Sequence, residues 1–386
     1  MDFDLSEDVR ILQQTSREFA LKELAPAAIE RDARREYPVD VMNKLGELGF
    51  MGVMVPEQYG GSGLGMLAYS VIMEEIARWD ASVALNMAAQ NSLCLGHLMV
   101  AANEEQKQRY VVPLARGEQL GAWGLTEAGS GSDAASMRTT ARLDGDEWVL
   151  NGSKMFITQG NVADICVIMA ATGKGDGKNP ISAFIVETRR NGSTTSGFST
   201  NKITNKLGMR ASDTAEIGLD DVRVPRECLL GNEGEGFIDT LKVLTGGRIG
   251  IGALAVGVAR GALEDSLQYA KEREQFGRPI AQFQAIQWML ADMATQIDAA
   301  RMLVHRAAMM KERGETAIKE AAQAKLFASE IATRAALNAV QILGGYGYTS
   351  EFHVERYLRD AKLLEIGEGT SQIQRIVIAK QLIRQS

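Results

Sequence analysis

From Leu5 to about Arg116, apolar residues recur at three- and four-residue spacing, as in Leu5, Val9 and Leu12 and then Val41, Leu45 and Leu48, with polar and charged residues between them. That period turns one face of each helical segment toward a core and predicts a helical domain. The run Gly60-Gly61-Ser62-Gly63 and the pair Trp79-Asp80 interrupt it as loops between helices. After Gly117 the pattern changes to short runs rich in β-branched and aromatic residues: Trp148-Val149-Leu150, Met155-Phe156-Ile157-Thr158, Ile165-Cys166-Val167-Ile168 and Ala183-Phe184-Ile185-Val186. These predict strands. Asn151-Gly152 lies between the first two and suits a type I′ hairpin turn, so that pair is expected to be antiparallel. The stretch from Asn191 to Gly197 reads as an exposed loop, and the β region closes at Asp221-Val222-Arg223-Val224-Pro225.

From about Gly236 the helical period returns in long segments. The one beginning near Gln282 places Ile286, Leu290, Met293, Ile297, Ala300 and Val304 on a seam suited to packing against other long helices. Glu315 to Leu343 has no Gly or Pro and is dense in Ala, which lets a helix approach its neighbours closely. The expected fold is a multi-domain α+β arrangement: an N-terminal α-helical domain over 1–118, a central antiparallel β domain over 119–232 and a C-terminal helical bundle over 233–386. No strand-GxGxxG-helix unit is present, which argues against a nicotinamide-binding Rossmann domain.

Composition narrows the function classes. With 386 residues, 45% of them hydrophobic and only seven prolines, the chain can bury a large core. A net charge of −7 and a pI near 5.3, with no Lys/Arg-rich stripe, exclude nucleic acid and anionic membrane surfaces as expected partners, while leaving room for a local basic site. Cys94, Cys166 and Cys228 lie far apart without CxxC spacing, so neither a disulfide framework nor a zinc site is expected. His97, His305 and His353 have no metal-ligand spacing and read as structural. The acidic start Met1 to Asp8 is unlike a signal or transit peptide, and no membrane insertion is expected; a bacterial cytoplasm is the expected setting.

Three segments carry candidate chemistry. Gly124-Leu125-Thr126-Glu127-Ala128-Gly129-Ser130-Gly131-Ser132-Asp133 combines small residues and hydroxyls, so backbone amides and side chains can reach a flat polar ring. Gln341-Ile342-Leu343-Gly344-Gly345-Tyr346-Gly347-Tyr348 is followed by Glu351, Arg356 and Asp360. Ile366-Gly367-Glu368-Gly369-Thr370-Ser371-Gln372 sets a carboxylate between glycines, where backbone can come close to a ligand. In this order, and with Arg273-Glu274-Gln275-Phe276-Gly277 also present, the segments resemble the acyl-CoA dehydrogenase family from the first helix to the last, in detail the short- and medium-chain members.

The resemblance implies that Glu368 removes the α-proton of an acyl-CoA while non-covalently held FAD accepts the β-hydride, and that electrons leave to electron-transfer flavoprotein. It places Trp123, Leu125 and Thr126 on one side of the isoalloxazine and Phe156 with Thr158 on the other, Phe156 standing where relatives commonly carry tryptophan. It assigns the dinucleotide end to Arg273, Phe276, Gln284, Gln341 and Gly345 of a neighbouring subunit, together with Thr370 and Gln372, which implies a homo-oligomer, most often a tetramer. Ser132, Arg248 and Gly369 fall to the acyl-CoA substrate, and no metal is implied. Gly247 occupies the place where a minority of the family carries its base, and glycine cannot serve, which leaves Glu368.

Two other classes compete: a related FAD acyl-CoA oxidase reducing oxygen, and a non-catalytic helical interaction protein, which would leave the polar sets around Thr126, Gln341 and Glu368 without a purpose. For the acyl group, the expected lining is Leu85 to Ser92. Ala84 stands where relatives acting on glutaryl-CoA place an arginine, which disfavours a distal carboxylate. Ala88, Ala89 and Gly367 remove bulk that Met87 or Tyr346 would have to refill.

Overall fold

In a computed structural model of the chain, residues 4–173, 180–190 and 192–385 are described. Helices run from Glu7–Phe19 to Val112–Ala115, strands from Gly121–Gly124 to Leu229–Leu230, and long helices follow from Gly236–Glu272 onward. The break expected at Trp79-Asp80 is one residue long. Asp80 ends the helix Met66–Trp79 and caps the next, Ala81–Ala88, by accepting from the backbone N–H of Ser82 and Val83 at 3.1 and 3.2 Å. The chain then widens into a π turn, Ala89–Cys94, and continues as Leu95–Ala101.

The main sheet has eight strands among the described residues: β1 (Gly121–Gly124), β2 (Thr140–Asp144), β3 (Glu147–Thr158), β4 (Ile165–Ala171), β5 (Ile181–Glu187), β6 (Phe198–Lys202), β7 (Thr214–Pro225) and β8 (Leu229–Leu230). Its spatial order is β8-β5-β4-β2-β3-β7-β6, with β1 added on β4. The long pairings are antiparallel, but β1 runs parallel to β4, from Gly121 opposite Ile165 to Gly124 opposite Ile168. The central domain is therefore a mixed sheet.

The expected hairpin at Asn151-Gly152 is not formed. Residues 147–158 make one continuous strand, and its register on β7 shifts between Leu150 and Gly152. A dipeptide that tolerates positive φ serves a bulge as well as a turn. Here Asn151 bonds to Asp221 in both directions at 2.9 Å, and Asp221 itself is left-handed at φ 51°. The actual two-residue turn is Gly145-Asp146, with Gly145 at φ 64° and Asp144 opposite Glu147. In the stretch read as a loop, Asn191 lies outside the described residues, Ser193–Thr194 pairs with Arg189–Arg190, and the rest is turn leading to β6.

The helix Gly236–Glu272, 37 residues long, ties the three regions together. It is long and apolar enough to cross a membrane, the one such helix among the described residues, but 78% of its apolar window is buried in the fold. Its apolarity is that of a core. It packs on Met66–Trp79, on Gln284–Glu312 and on Ile318–Leu343. A Cβ at Gly257 would lie 2.8 Å from Cβ of Ala77 and 3.1 Å from the Arg78 nitrogen, so glycine lets two backbones touch. One turn on, Arg260 pairs with Glu74 at 2.9 Å and Glu75 at 2.6 Å, while Arg17 and Arg301 reach the same two carboxylates. These buried charges share partners, so no single one is left uncompensated. Of the seam on Gln284–Glu312, Met293, Ile297, Ala300 and Val304 are buried and Ile286 and Leu290 are half-buried.

Gly257→Val is expected to destabilise the protein by about 1–3 kcal/mol, because the added methyls meet backbone that cannot rotate away. Thermal unfolding of the variant checks this, and an unchanged Tm would contradict the close packing described.

Candidate active site

The three regions enclose a cavity of ≈ 880 Å³. Leu85, Ala89 and Leu93, one stripe along the helix and its π turn, form one wall; β1 and the turn after it supply Trp123, Leu125 and Thr126; β3 supplies Phe156 and Thr158. Leu244, Arg248 and Ile251 enter from the long helix, and Gly367 to Thr370 from the last turn before the final helix, Ser371–Gln385.

Each sheet residue is held from behind. The Trp123 Nε1–H donates to Nδ1 of His97 at 3.0 Å, which requires that ring nitrogen to be unprotonated. Burial agrees, pushing His97 down to about 4. Beneath Leu125 and Thr126, Glu127 accepts from Lys154 at 2.8 Å, from the Thr139 hydroxyl at 2.6 Å, and from the backbone N–H of Arg138 and Thr139 at 2.7 and 2.9 Å. Burial works to raise its carboxyl, but these bonds outweigh it and bring it to about 2. Lys154, fully buried, also bonds the Leu125 carbonyl at 3.2 Å and so ties the turn to β3. Just beyond it the β3 register on β7 shifts again, between Lys154 and Ile157. Phe156 takes a left-handed conformation there, φ 61°, rare for an aromatic residue, and is 65% exposed where it lines the cavity.

Glu368 is also left-handed, φ 52°, and Gly369 follows at φ 91°. A strained non-glycine conformation of this kind costs on the order of 1–3 kcal/mol and survives only where its surroundings impose it. Lys325 and Gln374 both donate to the Gly369 carbonyl at 2.8 Å, Gln374 also reaches the Glu368 carbonyl at 3.2 Å, and the Ser371 N–H bonds Glu365 at 2.9 Å. The Glu368 side chain is driven against the long helix at Gly247, where a Cβ would collide with Oε2 and sit 3.0 Å from the carboxyl carbon. Glycine at 247 is thus the seat of the carboxylate. Oε2 is buried without a hydrogen-bond partner, as is Nε of the neighbouring Arg248. Burial raises the Glu368 carboxyl to about 7, against the opposing charges of Lys325 and Arg248.

Of the residues expected from sequence, Trp123, Leu125, Thr126, Ser132, Phe156, Thr158, Arg248, Glu368, Gly369 and Thr370 line this cavity. Arg273 and Gly345 instead line a second groove of ≈ 520 Å³ that shares no lining residue with it, the Arg273 guanidinium lying 5.7 Å over the Tyr346 ring. Phe276, Gln284, Gln341 and Gln372 are exposed and line neither, Phe276 at 93% exposure and φ 52°. Two expectations for the acyl wall need correction. Met87 and Ala88 are buried and do not line the cavity, and Tyr346 belongs to the second groove. Sequence reasoning misses Lys325, His97 and the Glu127–Lys154 pair. Lys325 carries a signal, as a lysine in phase with Ala321, Ala328 and Ala332 on the buried face of its helix.

Comparison with known proteins agrees along the whole chain. Three family models match: Acyl-CoA dehydrogenase, N-terminal domain, over residues 6–118; its middle domain over 122–222; and its C-terminal domain over 234–383. The chain is 51% identical over 385 residues to the probable acyl-CoA dehydrogenase YngJ of Bacillus subtilis, with 100% of each covered. Among solved structures, butyryl-CoA dehydrogenase from Megasphaera elsdenii superposes with a TM-score of 0.96 at 43% identity, 100% of both chains covered. A chain from work on the electron transferring flavoprotein of Acidaminococcus fermentans and flavin-based electron bifurcation gives 0.96 at 48% identity, again with 100% of both covered. The chain belongs to the acyl-CoA dehydrogenase family.

Proposed function

We propose that this protein dehydrogenates acyl-CoA thioesters to trans-2-enoyl-CoA with Glu368 as the base, and that it uses FAD and passes electrons to electron-transfer flavoprotein. The observation that carries the reading is the Glu368 carboxylate: one oxygen buried without a hydrogen-bond partner, the residue held on a strained turn and lining an 880 Å³ cavity. A carboxyl raised to about 7 suits a base working near neutral pH. The residues present fit a flavin. Trp123, Leu125 and the exposed Phe156 face offer apolar surface to a flat ring, Thr126 and Thr158 offer hydroxyls, and Thr370 stands near the base. When bound, FAD supplies a hydride acceptor for the β-carbon.

The remaining chemistry is the chain's own. Glu368 takes the α-proton, and its backbone N–H is positioned by the locked turn to donate to the thioester oxygen as negative charge develops there. Leu85, Ala89, Leu93 and Ile251 exclude water from the acyl chain, which keeps the carboxylate basic. Arg248 and Ser132 are the residues assigned to the CoA arm, with Gly369 leaving room beside the thioester. Arg273, Phe276, Gln284, Gln341 and Gly345 lie away from this cavity, so the reading needs a second subunit of a homotetramer to bring them, with Gln372, to the dinucleotide end. A bacterial cytoplasmic setting belongs to the same proposal, supported by the three free buried thiols and by the bacterial sources of the relatives named above.

Glu368→Gln is expected to retain the yellow colour and acyl-CoA binding and to lose flavin reduction by more than about a thousandfold in anaerobic stopped flow. In the wild type the reduction rate should rise with pH through a single ionisation near 7, because the deprotonated carboxylate is the active form. A pH-independent rate would count against this assignment. Arg273→Ala should weaken FAD retention and oligomerisation together, by on the order of 1.5–3 kcal/mol; full flavin occupancy in a stable oligomer would contradict it. The acyl wall of Leu85, Ala89, Leu93 and Ile251 is apolar, and Ala84 stands where an arginine would be needed to pair a distal carboxylate, so butyryl-, hexanoyl- or isobutyryl-CoA should exceed glutaryl-CoA in kcat/KM. Glutaryl-CoA as the best substrate would overturn that specificity.

A further inference from the structure

Lys325 projects from the helix Ile318–Leu343 and is fully buried. Among the described residues it makes no ion pair within 4 Å; its Nζ donates to the carbonyl of Gly369 at 2.8 Å. An ammonium kept in the interior without a carboxylate partner is costly, and it stays where its charge or its hydrogen bond serves something nearby. The residue next to the one it grips is Glu368. We infer that Lys325 is the positioning residue of the catalytic base: it clamps the Gly369 carbonyl to hold the left-handed Glu368 turn, and its charge favours the ionised form of the Glu368 carboxylate. The inference rests on the reading of Glu368 as the base.

The hydrogen bond and the charge do different work. Gln374 also donates to the Gly369 carbonyl at 2.8 Å, so the turn keeps a neutral anchor without Lys325. No neutral group replaces the ammonium. The charged and titratable groups around the pair come from every neighbouring element: Arg248 from the long helix, Glu365 from the end of the helix His353–Leu364, Glu330 from the lysine's own helix, and Tyr69 from Met66–Trp79. Glu365 is engaged by Lys362 at 2.9 Å and by Thr333, and Glu330 by Arg375 at 2.8 Å, so both acids are committed elsewhere. Tyr69 is held neutral by burial. That leaves Lys325 and Arg248 as the cations acting on Glu368. Burial brings Lys325 down to about 8, with Glu368 and Arg248 pulling in opposite directions.

The test uses the flavin-loaded holoenzyme with Lys325→Gln, which keeps a donor for Gly369 and removes the charge, and Lys325→Arg, which keeps the charge. In anaerobic flavin reduction the acid limb of Lys325→Gln should move up by about one pH unit, leaving the rate about fivefold low at pH 7 and within about twofold of wild type at pH 9. Lys325→Arg should keep the limb near its wild-type position. A second readout needs no turnover: the infrared carbonyl band of the protonated Glu368 carboxyl, identified by its loss in Glu368→Gln, should persist to higher pH in Lys325→Gln. A limb and band unmoved in Lys325→Gln, or a rate lowered equally at every pH, would overturn the inference and leave Lys325 a structural clamp. Flavin reduction retained by Glu368→Gln would instead overturn the assignment of the base.

Discussion

A carboxylate with one oxygen shut away from water and denied a hydrogen-bond partner is unstable in its charged form, and the structure around Glu368 is arranged to hold it there. Burial makes the group a stronger base than a solvated glutamate and makes its ionisation unfavourable to folding. The folded pKa lies above the ordinary carboxylate value, so this cost is absent at low pH, grows as pH rises above about 4.5 and levels off above about 7. The rest of the fold must offset what the site consumes. It does so through two buried cations, a locked turn and a helix surface trimmed to glycine at the point of contact.

The same use of small residues explains how three regions can meet at one cavity. The long helix carries Gly247 under the carboxylate and Gly257 against the backbone of Met66–Trp79, so one element sets both the position of Glu368 and the docking of the N-terminal helices. The charge network of Arg260, Glu74 and Glu75 fixes its register. The sheet contributes rigidity of another kind. Glu127 and Lys154 satisfy one another beneath the turn that bears Leu125 and Thr126, and the β3 irregularity aims Phe156 at the cavity. The cavity wall is therefore built on strands, helices and turns tied down by hydrogen bonds, which holds its side chains at fixed separation.

Much of this architecture is legible in the order of the residues alone. The change from a helical to a strand period near Gly117 and back near Gly236 depends on local side-chain pattern, and the fold follows it. Glu368 stands out because glycines flank it in a recognisable segment. The features that sequence hides depend on contacts between distant segments. Asn151-Gly152 has the chemistry of a turn, but whether it becomes a turn or a bulge is decided by pairing with β7. Nothing about a phenylalanine signals that position 156 will be left-handed. Gly247 looks in sequence like a position without a function and proves to be the one that admits the carboxylate. Met87 and Ala88 lie within the expected acyl wall, yet helical geometry turns them away and gives the wall to Leu85, Ala89 and Leu93.

Proton removal by Glu368, on which the proposed function turns, is a step that can be watched apart from any oxidation. A 3-thia-acyl-CoA has acidic α-hydrogens and a sulfur in place of the β-carbon, so it can lose a proton but cannot yield a hydride. Incubated in deuterium oxide with the holoenzyme and followed by NMR, its α-hydrogens should exchange with wild type at a rate that climbs through pH 7, and should stay unexchanged with Glu368→Gln. Equal exchange by the two proteins would contradict the account.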